Sequence, residues 1–136
     1  MRVLIDTNVL FSALLFRNST PARALFHVAD HQEMVLCDYC IKELLDKIEE
    51  KRPDLLAHAE RLLAVLPFEL VHAPRASNSV IADPKDAPIL NAAVLAEVDL
   101  IISGDKHFLQ AQMEHPRVLT AAAYLELAAE IDEGTV

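Results

Sequence analysis

Apolar and polar residues follow two rhythms along this chain. Short, wholly apolar runs, Val3-Leu4-Ile5, Met34-Val35-Leu36-Cys37 and Leu100-Ile101-Ile102, have the length and composition of strands buried on both faces. Between them, apolar residues recur at helical period. The spacing predicts a first strand over Arg2–Leu10 that runs into a loop. Ser19-Thr20-Pro21 then reads as a helix start, with Thr20 as the cap and Pro21 in the first helical position. That helix extends to about His31 and places Ala24, Leu25 and Val28 on one face. After the strand Met34–Cys37, Asp38 caps a helix from Tyr39 to about Lys51, with Ile41, Leu44, Leu45 and Ile48 as its stripe. Pro53 opens another helix, striped by Leu55, Leu56, Ala59, Leu62, Leu63 and Leu66, and Phe68–His72 reads as a strand. A polar connection over 73–85, with Pro74 and Pro84, is the longest in the chain. Helix Asp86–Glu97, strand Asp99–Ser103, a turn at Gly104 and a short helix Lys106–Met113 follow. The strand Arg117–Leu119 leads to a last helix from Thr120 to about Ile131, and 132–136 reads as a frayed tail.

Strands and helices that alternate in this way predict an α/β fold in three layers, a parallel sheet covered by helices on both faces with right-handed crossovers. In such a sheet all strand C-termini share one edge, and ligands bind there. Acids distant in sequence fall at that edge. Asp6 ends the first strand, Glu43 lies in the first part of a helix, Asp86 opens a helix and Asp105 follows the run Leu100–Ile102. Carboxylates gathered in one pocket repel one another unless they are protonated or bind a cation. Hard oxygen donors that leave room for water and phosphate suit Mg²⁺ or Mn²⁺. Asn8 and Thr7 can orient Asp6, while Asp83 and Ser103 stand where they can support the same site. Each acid also has an ordinary role open to it: Asp6 in a turn, Asp86 as a helix cap, Glu43 as one of several solvated acids on its helix.

Bulk composition narrows the picture. A chain of 136 residues, 53% of them hydrophobic, suits one domain over 1–136 with a sizeable core. No apolar run approaches the ~18–20 residues needed to cross a membrane. The strand begins at the N-terminus, which leaves no space for a signal peptide, so a cytoplasmic protein without membrane contact is expected. The formal charge of −9 argues against a nucleic-acid partner. Bound divalent cations would reverse that inference locally. Arg17, Arg23, Lys42, Arg75, Lys85, Lys106 and His107 fall near the proposed edge, where a solvated surface is their ordinary role. With two glycines in the chain, neither a GxGxxG nor a Walker A segment is present. Cys37 and Cys40 form a lone CxxC, open to three readings: a redox pair, a Cys₂His₂ zinc site with His27 and His31, or ordinary packed residues.

Taken in order, the segments Leu4-Ile5-Asp6-Thr7-Asn8-Val9-Leu10 with Ser12, Lys42-Glu43-Leu44-Leu45, Asp83-Pro84-Lys85-Asp86-Ala87-Pro88-Ile89-Leu90-Asn91-Ala92-Ala93 and Ile102-Ser103-Gly104-Asp105-Lys106-His107-Phe108 resemble the motifs of PIN-domain nucleases, of the kind found as toxins of VapBC-type toxin–antitoxin pairs. The resemblance spans nearly the whole chain. It implies a five-stranded parallel sheet and Mg²⁺- or Mn²⁺-dependent cleavage of single-stranded RNA. Asp6, Glu43, Asp86 and Asp105 would then be both the metal-binding and the catalytic acids, with Asn8, Ser12, Asp83 and Ser103 supporting them. It also implies a homodimer and an antitoxin partner. Any apolar surface that the helices at 21–31 and 53–66 do not spend on the sheet is the expected dimer contact. Arg17, Lys42, Lys85 and Lys106 are the candidates for RNA phosphates.

The chemistry needs no Ser, Cys or His nucleophile, and no catalytic triad can be assembled from the chain. Two other assignments compete: a PIN nuclease of RNA processing outside any toxin pair, and a receiver-like Mg²⁺-binding regulatory domain. The receiver pattern wants paired acids after the first strand, where this chain has Asp6-Thr7-Asn8, and a Lys after the last strand, where it has Thr120-Ala121.

Overall fold

The fold was analysed in a computed structural model, which describes residues 1–73, 87–105, 109 and 116–134. Strands β1 (Arg2–Ile5), β2 (Glu33–Cys37), β3 (Phe68–Val71), β4 (Leu100–Ile102) and β5 (Arg117–Leu119) form one parallel sheet in the order β3-β2-β1-β4-β5. Helices α1 (Thr7–Leu15), α2 (Thr20–His31), α3 (Asp38–Lys51), α4 (Leu56–Val65), α5 (Ala87–Leu95) and α6 (Ala121–Gly134) cover it, and a 3₁₀ turn at Pro53–Leu55 precedes α4. The expected five-stranded parallel α/β architecture is present. Among the described residues no helix is long and apolar enough to cross a membrane.

Side-chain alternation along the strands divides the core in two. Val3, Ile5, Met34, Leu36, Leu100 and Ile102 point to one face, where they pack with α1, α2, α3, α4 and α6. Leu4, Val35, Cys37 and Ile101 point to the other, where they meet Ile89, Leu90, Ala92 and Ala93 of α5. The central strands are apolar on both faces because both faces are covered. The stripes of α2 and α4 are used in this way: Ala22, Ala24, Leu25, Val28 and Ala59 are buried, and of the large apolar side chains there Phe26 and Val65 remain exposed.

Several boundaries differ from the sequence reading. The first strand stops at Ile5, and Thr7–Leu15, read as strand and loop, is a helix. Asp6 caps it with its side chain, and Val9, Leu10, Ala13 and Leu14 make the buried stripe. On α2 the cap is Ser19, whose side chain accepts from the Ala22 N–H at 3.3 Å, and Thr20 is already helical. On α3 the cap position belongs to Cys37, and Asp38 is the first helical residue. Asp38 still accepts from the Tyr39 and Ala73 N–H groups, at 2.7 and 2.8 Å, so it ties the helix start to the end of β3. Of the expected short helix over 106–113, Leu109 alone lies within the described residues.

At the opposite edge of the sheet, Arg2 gathers the N-terminal ends of the strands. Its guanidinium pairs with Glu69 at 2.6 Å and Glu33 at 3.5 Å, and its Nε donates to the Ala96 carbonyl. This fixes the register from below and leaves the C-terminal edge to the acids.

Candidate functional site

Chain order places a site at this edge before any side chain is considered. From β1 the chain moves to β2 and β3 on one side, and then returns to β4 on the other side of β1. The crevice between the ends of β1 and β4 is therefore the point where strand order reverses, the usual ligand position in open α/β sheets. The pairing Ile5↔Ile102 brings Asp6 and Ser103 side by side at that point.

Asp6 is 3% exposed and held from both sides. Its Oδ1 accepts from the Thr7 N–H at 2.7 Å, and its Oδ2 accepts from the Ser103 hydroxyl, also at 2.7 Å. The Asp6 N–H donates to the Ile102 carbonyl at 3.0 Å, so its backbone continues the ladder while its side chain begins a helix. The Ser103 Oγ in turn accepts from the Asp105 N–H at 3.0 Å. Ser103 thus braces the Asp6 carboxylate and the backbone of Asp105.

Burial raises the Asp6 carboxyl to about 6, and the charges of Glu43 and Asp105 push the same way, while the hydrogen bonds from Ser103 and Thr7 oppose them. Glu43, on the first half of α3, and Asp105, just past β4, therefore share the electrostatic environment of Asp6, and both are partly exposed. A buried carboxylate beside two more acids is costly to ionise, and a cation relieves that cost. Hard oxygen donors of this kind fit Mg²⁺ or Mn²⁺. Among the described residues, no three His, Cys, Asp or Glu side chains converge on one metal position. Asp86 and Asp83 lie outside the described residues, as do Lys85 and Lys106.

The expected supporting residues divide. Ser103 contacts Asp6 directly. Asn8 is exposed and turns away from it: its Oδ1 accepts from Lys47 Nζ at 3.1 Å. Lys47 also sits over the Phe11 ring, 4.4 Å from its centroid, so Asn8 helps fasten α1 to α3. Ser12 lies further along α1, half-buried, and its carbonyl accepts from the Phe16 N–H that closes the helix. Sequence reasoning overlooked Lys47, although its helical offset of four from Glu43 was readable. Lys42 is exposed on α3, and Arg17 stands in the turn after α1.

The zinc reading is overturned. Cys37 and Cys40 are buried free thiols on the α5 face of the sheet. His27 and His31 project from α2, whose buried side chains pack on the other face, and His27 is hydrogen-bonded to Tyr124 at 2.7 Å. The sheet separates the two pairs. The Cys40 carbonyl is within 3.5 Å of the Thr7 hydroxyl, so the CxxC turn packs beneath the start of α1.

The sequence model of the PIN domain family matches residues 2–107. The chain belongs to the PIN domain family. That match includes the three acids placed above and the segment of Asp83 and Asp86, and it sets aside the receiver-like alternative. Among solved structures, that of VapBC2 from Rickettsia felis bound to a DNA fragment from their promoter matches this PIN domain with a TM-score of 0.66 at 12% identity, over 88% of this chain and 97% of that chain. At this identity the likeness is one of fold. No curated protein sequence matches the chain.

Proposed function

We propose that this PIN domain, taken as one domain over 1–136, is a metal-dependent nuclease that cuts single-stranded RNA and serves as the toxin of a toxin–antitoxin pair. The observation that carries the reading is the fixed carboxylate of Asp6 at the crevice between β1 and β4, with Glu43 and Asp105 acting on it electrostatically. Asp6, Asp105 and Asp86 would hold Mg²⁺ or Mn²⁺ directly or through water, with Glu43 completing the acidic ring. The ion would supply positive charge at the scissile phosphate and lower the pKa of the attacking water.

The chain's own residues do the positioning. Ser103 and the Thr7 N–H hold the Asp6 oxygens in fixed directions, and Ser103 fixes the backbone of Asp105. Such preset donors spare reorganisation during the reaction.

The toxin reading rests on the sequence motifs together with the fold shared with a VapBC2 structure. An antitoxin would place a basic side chain, best an Arg, among the acids, where a guanidinium pairs with carboxylates and competes with the cation. A homodimer belongs to the same proposal, and light scattering that shows a monomer from micromolar to millimolar concentration would remove it.

The decisive test incubates purified protein with labelled single-stranded RNA in Mn²⁺ and in EDTA. Cleavage is expected in Mn²⁺ and absent in EDTA. Asp6→Asn preserves shape and removes a charge, and it should lower the rate by roughly a hundredfold or more. Cleavage by Asp6→Asn at the wild-type rate would remove Asp6 from the site.

A further inference from the structure

Away from the acids, an open cavity of about 490 Å³ lies between α2 and α6, beside the turn that follows α1. Its described lining includes Arg17, Asn18, Arg23, Phe26, His27 and His31. On a chain of net charge −9, this hollow collects, among the described residues, two guanidinium groups and two imidazoles against a single carboxylate, Asp30. Arg17 and Arg23 make no ion pair among the described residues. Arg23, His27 and His31 recur every four residues and so share one face of α2.

The same wall presents flat rings. Phe26 is 45% exposed, and Phe16, in the adjoining turn, is 63% exposed. The His27 and His31 rings lie 4.5 Å apart between centroids and are tilted by 35°. His27 is braced by its hydrogen bond to the hydroxyl of Tyr124, a fully buried residue. Guanidinium forks suit phosphate oxygens, and exposed rings beside them suit the faces of bases. A volume of this size is that of a small-ligand pocket.

From these features we infer that the α2–α6 cavity is a second contact point for the RNA strand, at which Arg17 and Arg23 hold backbone phosphate and the rings of Phe26 and His31 stack on a base. The inference rests on the nuclease reading and adds a specific path for the strand. Asp6 is the N-cap of α1, and that nine-residue helix ends about 14 Å away, at the turn that carries Arg17. A strand leaving the acids along α1 reaches the cavity after a few nucleotides. An acidic peptide would also meet the arginines, but it has no use for the rings.

The experiment measures anisotropy of labelled single-stranded oligoadenylates of about 4 to about 16 nucleotides, in Ca²⁺ to suppress cleavage. Wild-type protein is compared with Arg17→Ala/Arg23→Ala and with Phe26→Ala. Wild-type affinity should climb with length and then level off. The double variant should bind the shortest oligomer as wild type does, bind the longest about tenfold more weakly, and show a salt slope lower by one to two counterions. Phe26→Ala should also lose about tenfold on long oligomers alone. Arg17→Lys/Arg23→Lys should recover part of the salt slope, which a folding defect would not permit. Equal losses at all lengths, or no loss at any, would overturn the inference. So would polyglutamate binding that disappears in the double variant while RNA binding is unchanged, which assigns the cavity to an acidic protein partner. If wild-type protein neither binds nor cuts RNA, the nuclease reading falls and this site with it. If short substrates are cut and no length effect exists, the second contact alone is lost.

Discussion

The metal-binding role proposed for Asp6 sets two opposed requirements: it must be rigid, which burial supplies, and it must be ionised to hold a cation, which burial resists. Its carboxyl sits at about 6 against an ordinary 3.8 because of burial first, with the charges of Glu43 and Asp105 adding to it. The sign of the pH dependence follows. A folded-state value above the unfolded one contributes stability that is full below about 3.8 and is lost as pH rises through about 6. Metal-free Asp6→Asn has no such loss, so at pH 7.5 it should exceed wild type by up to about 3 kcal/mol, with the difference shrinking toward pH 4. Urea denaturation in EDTA across that range checks it; parallel profiles for the two proteins would contradict it. A second expectation concerns Ser103, which braces one oxygen of Asp6 and the backbone of Asp105. Ser103→Ala should weaken Mn²⁺ binding by about 10–100-fold with the fold intact, as removal of a residue behind a metal ligand commonly does. Unchanged affinity in a calorimetric titration would mean that Ser103 is merely structural. Both positions were readable in the sequence because each ends an apolar run. For Asn8, adjacency in sequence is not adjacency in space: on the first turn of a helix its side chain accepts a hydrogen bond from Lys47.

At the scale of elements, the inner strands β1, β2 and β4 were legible because burial on both faces leaves an apolar run, and the sheet order explains why those runs needed no polar face. Helix α1 was not. Asp6-Thr7-Asn8 has the composition of a turn, and a nine-residue helix gives little more than two periods on which to recognise a stripe. The stripe Val9, Leu10, Ala13 and Leu14 was nevertheless there, and the Asp6 that seemed to end a strand is also the cap that starts the helix. The cap of α2 was displaced by one residue for a related reason: Ser19 and Thr20 are both good caps, and which of them serves depends on backbone direction. The Ser19 hydroxyl also donates to the Phe16 carbonyl at 2.7 Å, which joins the turn to the helix. Ser19→Ala should therefore cost about 1 kcal/mol, whereas Thr20→Ala should stay within about 0.5 kcal/mol. Denaturant midpoints of the two variants, compared at equal m-values, decide between them. The acid expected at Asp86 belongs to the segment outside the described residues, so of the candidate site the structure brings together Asp6, Ser103 and Asp105 by hydrogen bonds and Glu43 by its charge.

For the whole molecule, the difficulty is charge. A protein at −9 repels a polyanion, and the site itself is built from acids. On the proposed reading two features would offset this: cations at the β1–β4 crevice and the arginine-lined hollow beside α2. The first is local and conditional, since each divalent ion adds two positive charges where a phosphate would lie. Without an ion, Asp6, Glu43 and Asp105 would face an RNA strand with nothing between. RNA affinity should therefore depend on metal far more than on ionic strength alone. For Asp105→Asn, which retains Asp6 and Glu43 but should not cut, labelled single-stranded RNA should bind at least tenfold more tightly in Ca²⁺ or Mn²⁺ than in EDTA at matched ionic strength. Duplex RNA should bind more weakly than single strand in either condition, because its bases are stacked away from the exposed rings. With 5% aromatic residues and no Trp, the chain has few rings with which to select a base, so the flexibility of the target strand should matter more than its sequence. Tight binding in EDTA, or equal affinity for duplex and single strand, would show that the acids do not govern RNA approach and that another surface brings the polyanion in.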